Sequence, residues 1–148
     1  MEVLGTCCPS LPCSSGAVEL KNQMIEHLKK RGIECKDVGT YTSESCDYPV
    51  YANKVADLVT SGECELGILM CGTGIGMSMA ANKVKGIRAA LCSDCFSAQA
   101  TREHNNANVL CLGARVIGPE LAFRIADTFL DSKFSNDERH IRRISMFD

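Results

Sequence analysis

The sequence has no excess of positive charge. Sixteen lysines and arginines face eighteen acidic residues, for a net charge of −2 at neutral pH, so no basic footprint for nucleic acid is present. It has no long apolar run either. None approaches the roughly 20 residues that a bilayer crossing requires, which argues against a membrane partner. The opening "MEVLGTCCPS" lacks a basic stretch leading into an apolar one, so no secretory signal is read and a cytoplasmic location is expected. No repeat, linker or low-complexity segment interrupts the chain. GxGxxG and GxxxxGK[ST] are both missing, which removes the dinucleotide fingerprint and the P-loop from consideration.

What is there suits one domain. The 148 residues are 45% apolar and 23% charged, an ordinary balance for a chain with a single core, and residues 1–148 are read as one unit with an atypical first 15. Ten cysteines are spread through it: Cys7, Cys8, Cys13, Cys35, Cys46, Cys64, Cys71, Cys92, Cys95 and Cys111. Disulfide scaffolds belong mostly to short secreted chains without a core. Several of these thiols lie inside apolar runs such as "NVLCLG", so reduced, buried cysteines are expected. "CSDC" (92–95) has the spacing of half a zinc or redox site, but no second CxxC or histidine pair completes it, and no metal is expected.

Helical and strand-like patterns alternate. Val18, Leu20, Met24, Ile25 and Leu28 form a helical stripe over 16–32, ended by Gly32. Further helices are expected over 48–62 (with Pro49 at the start), 76–84, 97–105 and 119–132, and a short charged one in the tail "NDERHIRRISMF". Strands are expected over 33–39, 64–71, 87–92 and 108–113, and "MEVLG" is a candidate first strand. This spacing predicts a parallel sheet with helices on both faces, a three-layer, doubly wound, Rossmann-like α/β/α sandwich. Ligands of such folds bind beyond the carboxyl ends of the strands.

One stretch stands out at such an end. "LMCGTGIGMSMAANKV" (69–84) sets Cys71 at the close of an apolar strand, then Gly72, Thr73, Gly74, Ile75 and Gly76 before a helix. Glycines admit a ligand close to the backbone, and a run of N–H groups makes an anion nest. A thiol beside it has the makings of a base or nucleophile. The plainer alternative is a tight turn with an inert cysteine. In "ERHIRR" (138–143), Arg139 and Arg143 stand one helical turn apart and share a face, as a phosphate clamp would. The plainer alternative there is a solvated basic face. His104 and Asn105 in "REHNNANV" precede a strand and are weaker candidates alone.

"DYPVYANKVA", "GILMCGTGIGMSMAANKVKGIRAALC", "SAQATREHNNANVLCLGARVIGPELA" and "RHIRR" together resemble the type B ribose-5-phosphate isomerases, a group that includes the galactose-6-phosphate isomerase subunits. The resemblance runs from about Glu19 to Ile144. It implies a five-stranded parallel sheet with a C-terminal helix. It also implies aldose–ketose isomerisation of a sugar phosphate through a cis-enediolate, with no metal or organic cofactor. Cys71 matches the base that moves a proton between C2 and C1, and Thr73 the hydroxyl serving O1 and O2. The N–H groups of Gly72 to Gly76 match the anion hole, and His104 the group that opens the furanose ring, with Asn105 beside it. Tyr48 matches a residue that lines the sugar pocket, Arg115, Arg139 and Arg143 match the phosphate ligands, and His140 lies among them. The resemblance further implies homodimers, or dimers of dimers, whose active sites are shared, with His104 and Arg115 coming from the neighbour. In the family the first strand leads into a Gly-x-Asp-His-[Ala/Gly]-Gly turn. This chain has "CSSGA", so Ser14 and Ser15 stand where aspartate and histidine are expected to touch sugar and phosphate. A ribose 5-phosphate isomerase is the leading expectation. A six-carbon sugar-phosphate isomerase and a non-catalytic sugar-phosphate-binding protein are the alternatives.

Overall fold

In a computed structural model of the chain, residues 2–4, 15–39, 41 and 47–147 are described. Strands and helices alternate through them: β1 (Glu2–Leu4), α1 (Ser15–Lys30), β2 (Glu34–Lys36), α2 (Tyr48–Thr60), β3 (Leu66–Cys71), α3 (Ile75–Ala81), β4 (Ala89–Leu91), α4 (Cys95–Asn105), β5 (Val109–Gly113), α5 (Pro119–Asp131) and α6 (Glu138–Ile144). This is an α/β fold with a parallel sheet. The strands lie in the order β2-β1-β3-β5-β4. The candidate strand at the start is real: Val3 pairs with Leu66 and Cys35, and Leu4 with Gly67 and Lys36.

Strand alternation sorts the core into two clusters. Leu66, Ile68 and Met70 of β3 join Leu110 and Leu112 of β5 against Leu20, Met24 and Leu28 of α1 and Ile125 and Phe129 of α5. Leu69, Cys71, Val109 and Cys111 point the other way, against Ala52, Val55 and Ala56 of α2 and Met77 and Ala81 of α3. Successive side chains of a strand face opposite sides of a sheet, so these clusters lie on opposite faces. All six residues of β3 are buried, as a strand covered on both sides requires. Each large aliphatic side chain so buried contributes about 1.5–3 kcal/mol. Among the described residues, no helix is long and apolar enough to cross a membrane.

Local chemistry shifts some boundaries. The Asp94 carboxylate accepts the Ser97 N–H at 2.7 Å, which caps α4 and starts it at Cys95, two residues before the expected 97. Asp37 accepts the Gly39 N–H at 2.9 Å. That turn ends β2 at Lys36 instead of carrying it to residue 39. Asn108 accepts the Arg88 N–H at 2.8 Å and donates to the Gly86 carbonyl at 2.9 Å. Those side-chain bonds hold residues 86–88 outside the strand and delay β4 to Ala89.

Helix α1 departs from its expected stripe. Lys21 is fully buried with Leu20, Met24 and Leu28, while Val18 and Ile25 are only half-buried. Its ammonium pairs with Asp37 at 2.6 Å and lies 4.3 Å from the centre of the Tyr41 ring. A buried charge is tolerated when it is paired and hydrogen-bonded. This pair ties α1 to the exit of β2.

Candidate active site

The chain crosses from one side of β1 to the other between β2 and β3, so the carboxyl ends of β1 and β3 flank the natural ligand crevice. Cys71 ends β3 there, 7% exposed. Its Sγ accepts the Gly74 N–H at 3.0 Å, an arrangement that suits a sulfur carrying negative charge. Gly74 has φ of +77°, a left-handed conformation that turns the backbone from strand into α3 and aims this N–H back at the sulfur. The exposed Thr73 hydroxyl accepts the Ile75 N–H at 3.3 Å. A Cβ at Gly76 would come within 2.7–2.9 Å of the Tyr48 ring and hydroxyl, so glycine is what lets Tyr48 lie against the loop.

The segment after β5 braces the same loop. Ala114 N–H donates to the Cys71 carbonyl at 2.9 Å and Arg115 N–H to the Gly72 carbonyl at 3.0 Å. The Arg115 side chain lies over Gly72, 3.6–3.7 Å from where a Cβ would stand. Within one chain, Arg115 thus lies against the loop that follows Cys71. A thiol, a hydroxyl, a phenol, a guanidinium and the N–H groups of the glycine loop converge at the carboxyl edge of the sheet. They can move protons and hold an oxyanion.

The remaining candidates gather elsewhere. Helix α4 begins at the carboxyl edge and returns to the amino edge, where Asn106 takes φ of +46° and ends it. His104 and Asn105 are exposed on that last turn. Arg102 donates to the Ala107 carbonyl and the Asn106 side chain, and Arg88 Nε donates to the Asn106 carbonyl at 2.9 Å. Burial holds the Arg102 guanidinium below its ordinary pKa. Helix α6 docks beside this turn. Ser135 N–H donates to the Glu103 carbonyl at 3.0 Å, and the His104 and His140 rings lie 4.6 Å apart. Arg139 and Arg143 are exposed on α6, and Arg139 also reaches Asp137 at 3.3 Å.

The expected site residues therefore form two groups. Cys71, Thr73, the glycines, Ile75, Tyr48 and Arg115 occupy one edge of the sheet; His104, Asn105, Arg139 and Arg143 occupy the region around the other end of α4. The six residues of β3, at about 3.3 Å each, separate the two edges by roughly 16 Å. His140 departs from expectation. It is 4% exposed and turned toward α4, because it is the side chain that seats α6, so it does not share the arginines' open face. Ser14 lies outside the described residues, and Ser15 is the first residue of α1.

Sequence reasoning passed over a cleft of about 660 Å³ at the amino edge, where Asn105 meets Lys83, Lys85, Arg88 and Phe147. The sequence predicts a helix end over 82–84 and a strand start over 87–88 there, with no sign of a cleft. It also passed over Lys21, whose partner Asp37 is distant in sequence. "CSDC" divides between environments. Cys92 is in the core, its thiol pushed up to about 11 by burial with Asp94 adding, while Cys95 opens α4 half-buried. Burial also pushes the Cys111 thiol up, with Cys71 and Cys92 adding. Cys35, Cys71, Cys92, Cys95 and Cys111 are free thiols.

A parallel α/β sheet with a thiol and a donor-lined glycine loop at its carboxyl edge defines an enzyme class that moves protons on small oxygenated substrates. Residues 10–147 match the family model described as Ribose/Galactose Isomerase, and the chain belongs to that family. It is 48% identical over 132 residues to ribose-5-phosphate isomerase B of Escherichia coli, covering 89% of this chain and 88% of that protein. It is 47% identical to the D-erythrulose-4-phosphate isomerase of Pectobacterium atrosepticum, covering 84% and 83%. The solved structure of ribose-5-phosphate isomerase B from Clostridium thermocellum superposes with a TM-score of 0.90 at 47% identity, covering 99% of this chain and 94% of that one.

Proposed function

We propose that this protein interconverts D-ribose 5-phosphate and D-ribulose 5-phosphate. The observation that carries the reading is Cys71 at the mouth of a glycine loop whose Gly74 N–H meets its sulfur. In the forward direction the Cys71 thiolate takes the proton from C2, leaving a cis-enediolate. N–H groups of residues 72–76 hold the negative charge on its oxygen, Thr73 passes the hydroxyl proton from O2 to O1, and the thiol returns its proton to C1. Electrons stay within the sugar, so the isomerisation balances without a redox partner. His104 opens the furanose ring beforehand, with Asn105 beside it. Arg115, Arg139 and Arg143 bind phosphate and Tyr48 lines the sugar. Ser14 and Ser15 offer hydroxyls where the family has a carboxylate and an imidazole.

One chain holds the two groups of residues too far apart to meet on one sugar phosphate, so the working unit is a homodimer in which His104, Asn105, Arg139 and Arg143 of one copy serve the Cys71 loop of the other. Exposed Ile75, Met79, Leu91 and Val116 around that loop offer apolar surface for the contact. Each copy is a single domain, and the opposed core clusters favour a three-layer α/β/α sandwich. Mixing refolded Cys71→Ala and His104→Ala chains tests both the roles and the sharing. Each variant alone should lose roughly 10²–10⁴-fold in kcat. The mixture should regain activity, because a mixed dimer keeps one intact site. Inactive mixtures would refute the shared site, and a fully active Cys71→Ala would remove the thiol from the reaction. The near-equal likeness to a four-carbon sugar-phosphate isomerase favours a second reading, in which chain length differs. Turnover of four-, five- and six-carbon aldose phosphates by one preparation decides it.

A further inference from the structure

Helix α6 is seven residues long, and among its described residues His140 is the buried one. An apolar side chain would seat such a helix without the desolvation cost of an imidazole. What the imidazole gains is a fixed orientation. Its Nδ1 lies 3.0 Å from the Ser135 hydroxyl, and Ser135 is itself tied through its N–H to the Glu103 carbonyl at 3.0 Å. The His140 ring is thus referenced by hydrogen bonds to α4, one residue from His104.

His104 is the opposite case. It is exposed on the last turn of α4, and among the described residues no hydrogen bond holds its ring. Its close neighbour is His140, with ring centroids 4.6 Å apart and planes tilted by 55°, within the range of favourable aromatic pairs. A lone exposed histidine would sample several rotamers. This one has a face to rest on.

We infer that His140 is a positioning residue for His104: buried beneath α6 and held by Ser135, it fixes the plane of the His104 imidazole and so serves the opening of the sugar ring. The inference rests on the proposed ring-opening role of His104. It also explains why α6 carries both the anchor and the arginines. In ribose 5-phosphate the ring oxygen and the phosphorus are four bonds apart, so the group that opens the ring and the groups that grip phosphate need a fixed spacing. Seating α6 on His104 through His140 sets that spacing in one contact.

The test separates ring opening from proton transfer. Ribose 5-phosphate is compared with 4-deoxyribose 5-phosphate, an aldose that lacks the hydroxyl needed to close a furanose. His140→Leu should lower kcat/KM for ribose 5-phosphate roughly tenfold or more, the scale of a small misplacement of a reacting group, and that for the 4-deoxy sugar less than about twofold. His140→Phe, which restores a ring against His104, should recover most of the loss. Ser135→Ala, which frees the His140 ring without emptying its site, should show a smaller loss with the same substrate bias, and carries the test if His140→Leu does not fold. Equal losses on both sugars, or none, would overturn the inference and reduce His140 to a seat for α6. His104→Ala is the control. If it discriminates between the sugars and the His140 and Ser135 variants do not, the inference alone fails; if it does not discriminate, the ring-opening role falls and takes the inference with it.

Discussion

Gly74→Ala perturbs the loop at the point where backbone conformation and chemistry coincide. Two costs add. The native φ of +77° charges an L-residue about 1–2 kcal/mol. The new Cβ would also stand 2.5 Å from Leu91 Cδ1, 3.0 Å from the Leu112 carbonyl carbon and 3.1 Å from its oxygen. Leu91 is 41% exposed and can swing aside. Leu112 is backbone of a central strand and cannot, so the loop must move, at the roughly 1–3 kcal/mol typical of overpacking. The sum is about 2–5 kcal/mol, which lowers Tm by roughly 4–20 °C in a domain of this size. The loop that moves carries the N–H that meets Cys71 Sγ. Losing a hydrogen bond to a charged group costs about 1.5–3 kcal/mol, or roughly 10- to 150-fold in rate. Thermal unfolding and steady-state kinetics on one preparation read both effects. An alanine variant with unchanged Tm and kcat would show that neither the left-handed turn nor its N–H matters.

Three further outcomes follow from other parts of the chain. Arg139→Ala or Arg143→Ala should raise KM roughly 10- to 150-fold with little change in kcat and weaken inhibition by inorganic phosphate to match; unchanged values in both would make the pair a solvated face. Lys21→Met removes the ammonium paired with the Asp37 carboxylate and should cost about 1.5–3 kcal/mol in urea unfolding. The double variant Lys21→Met/Asp37→Leu should recover part of it, and a single variant of normal stability would contradict the buried pair. The core thiols give a pH dependence. Cys92 is pushed up to about 11, and Cys111 is also raised, from an ordinary 9.0. Above pH 9 the unfolded chain loses these protons while the folded one keeps them, so stability falls as pH rises. The slope is up to about 1.4 kcal/mol per unit for each thiol until the folded thiol itself ionises. Below pH 9 both states are protonated and the effect vanishes. Urea unfolding at pH 8, 9 and 10 should show the decline, shallower in Cys92→Ala; a flat profile would refute it.

Local signals in the sequence determined most of the fold. The unbroken apolar run of β3 can only be a strand covered on both faces, and Gly32, Pro49 and Pro119 punctuate helices because of their own backbone limits. The Cys71 loop was legible for the same reason: glycines at 72, 74 and 76 after a buried strand mark a backbone that must turn sharply and approach something closely. Tertiary structure decided what depends on partners far apart in the chain. The burial of Lys21 in the stripe of α1 turns on Asp37, sixteen residues away, and no periodicity foretells it. "ERHIRRI" has no apolar stripe, so its inward residue is set by what α4 offers, and α4 offers His104. Arg115 lies over Gly72 because β5 runs beside β3 in the sheet, a pairing that sequence order does not reveal. The division of the candidate residues between two edges of the sheet has a similar origin. Chain position says which residues are reactive, but the direction in which each helix returns across the sheet decides which of them can meet.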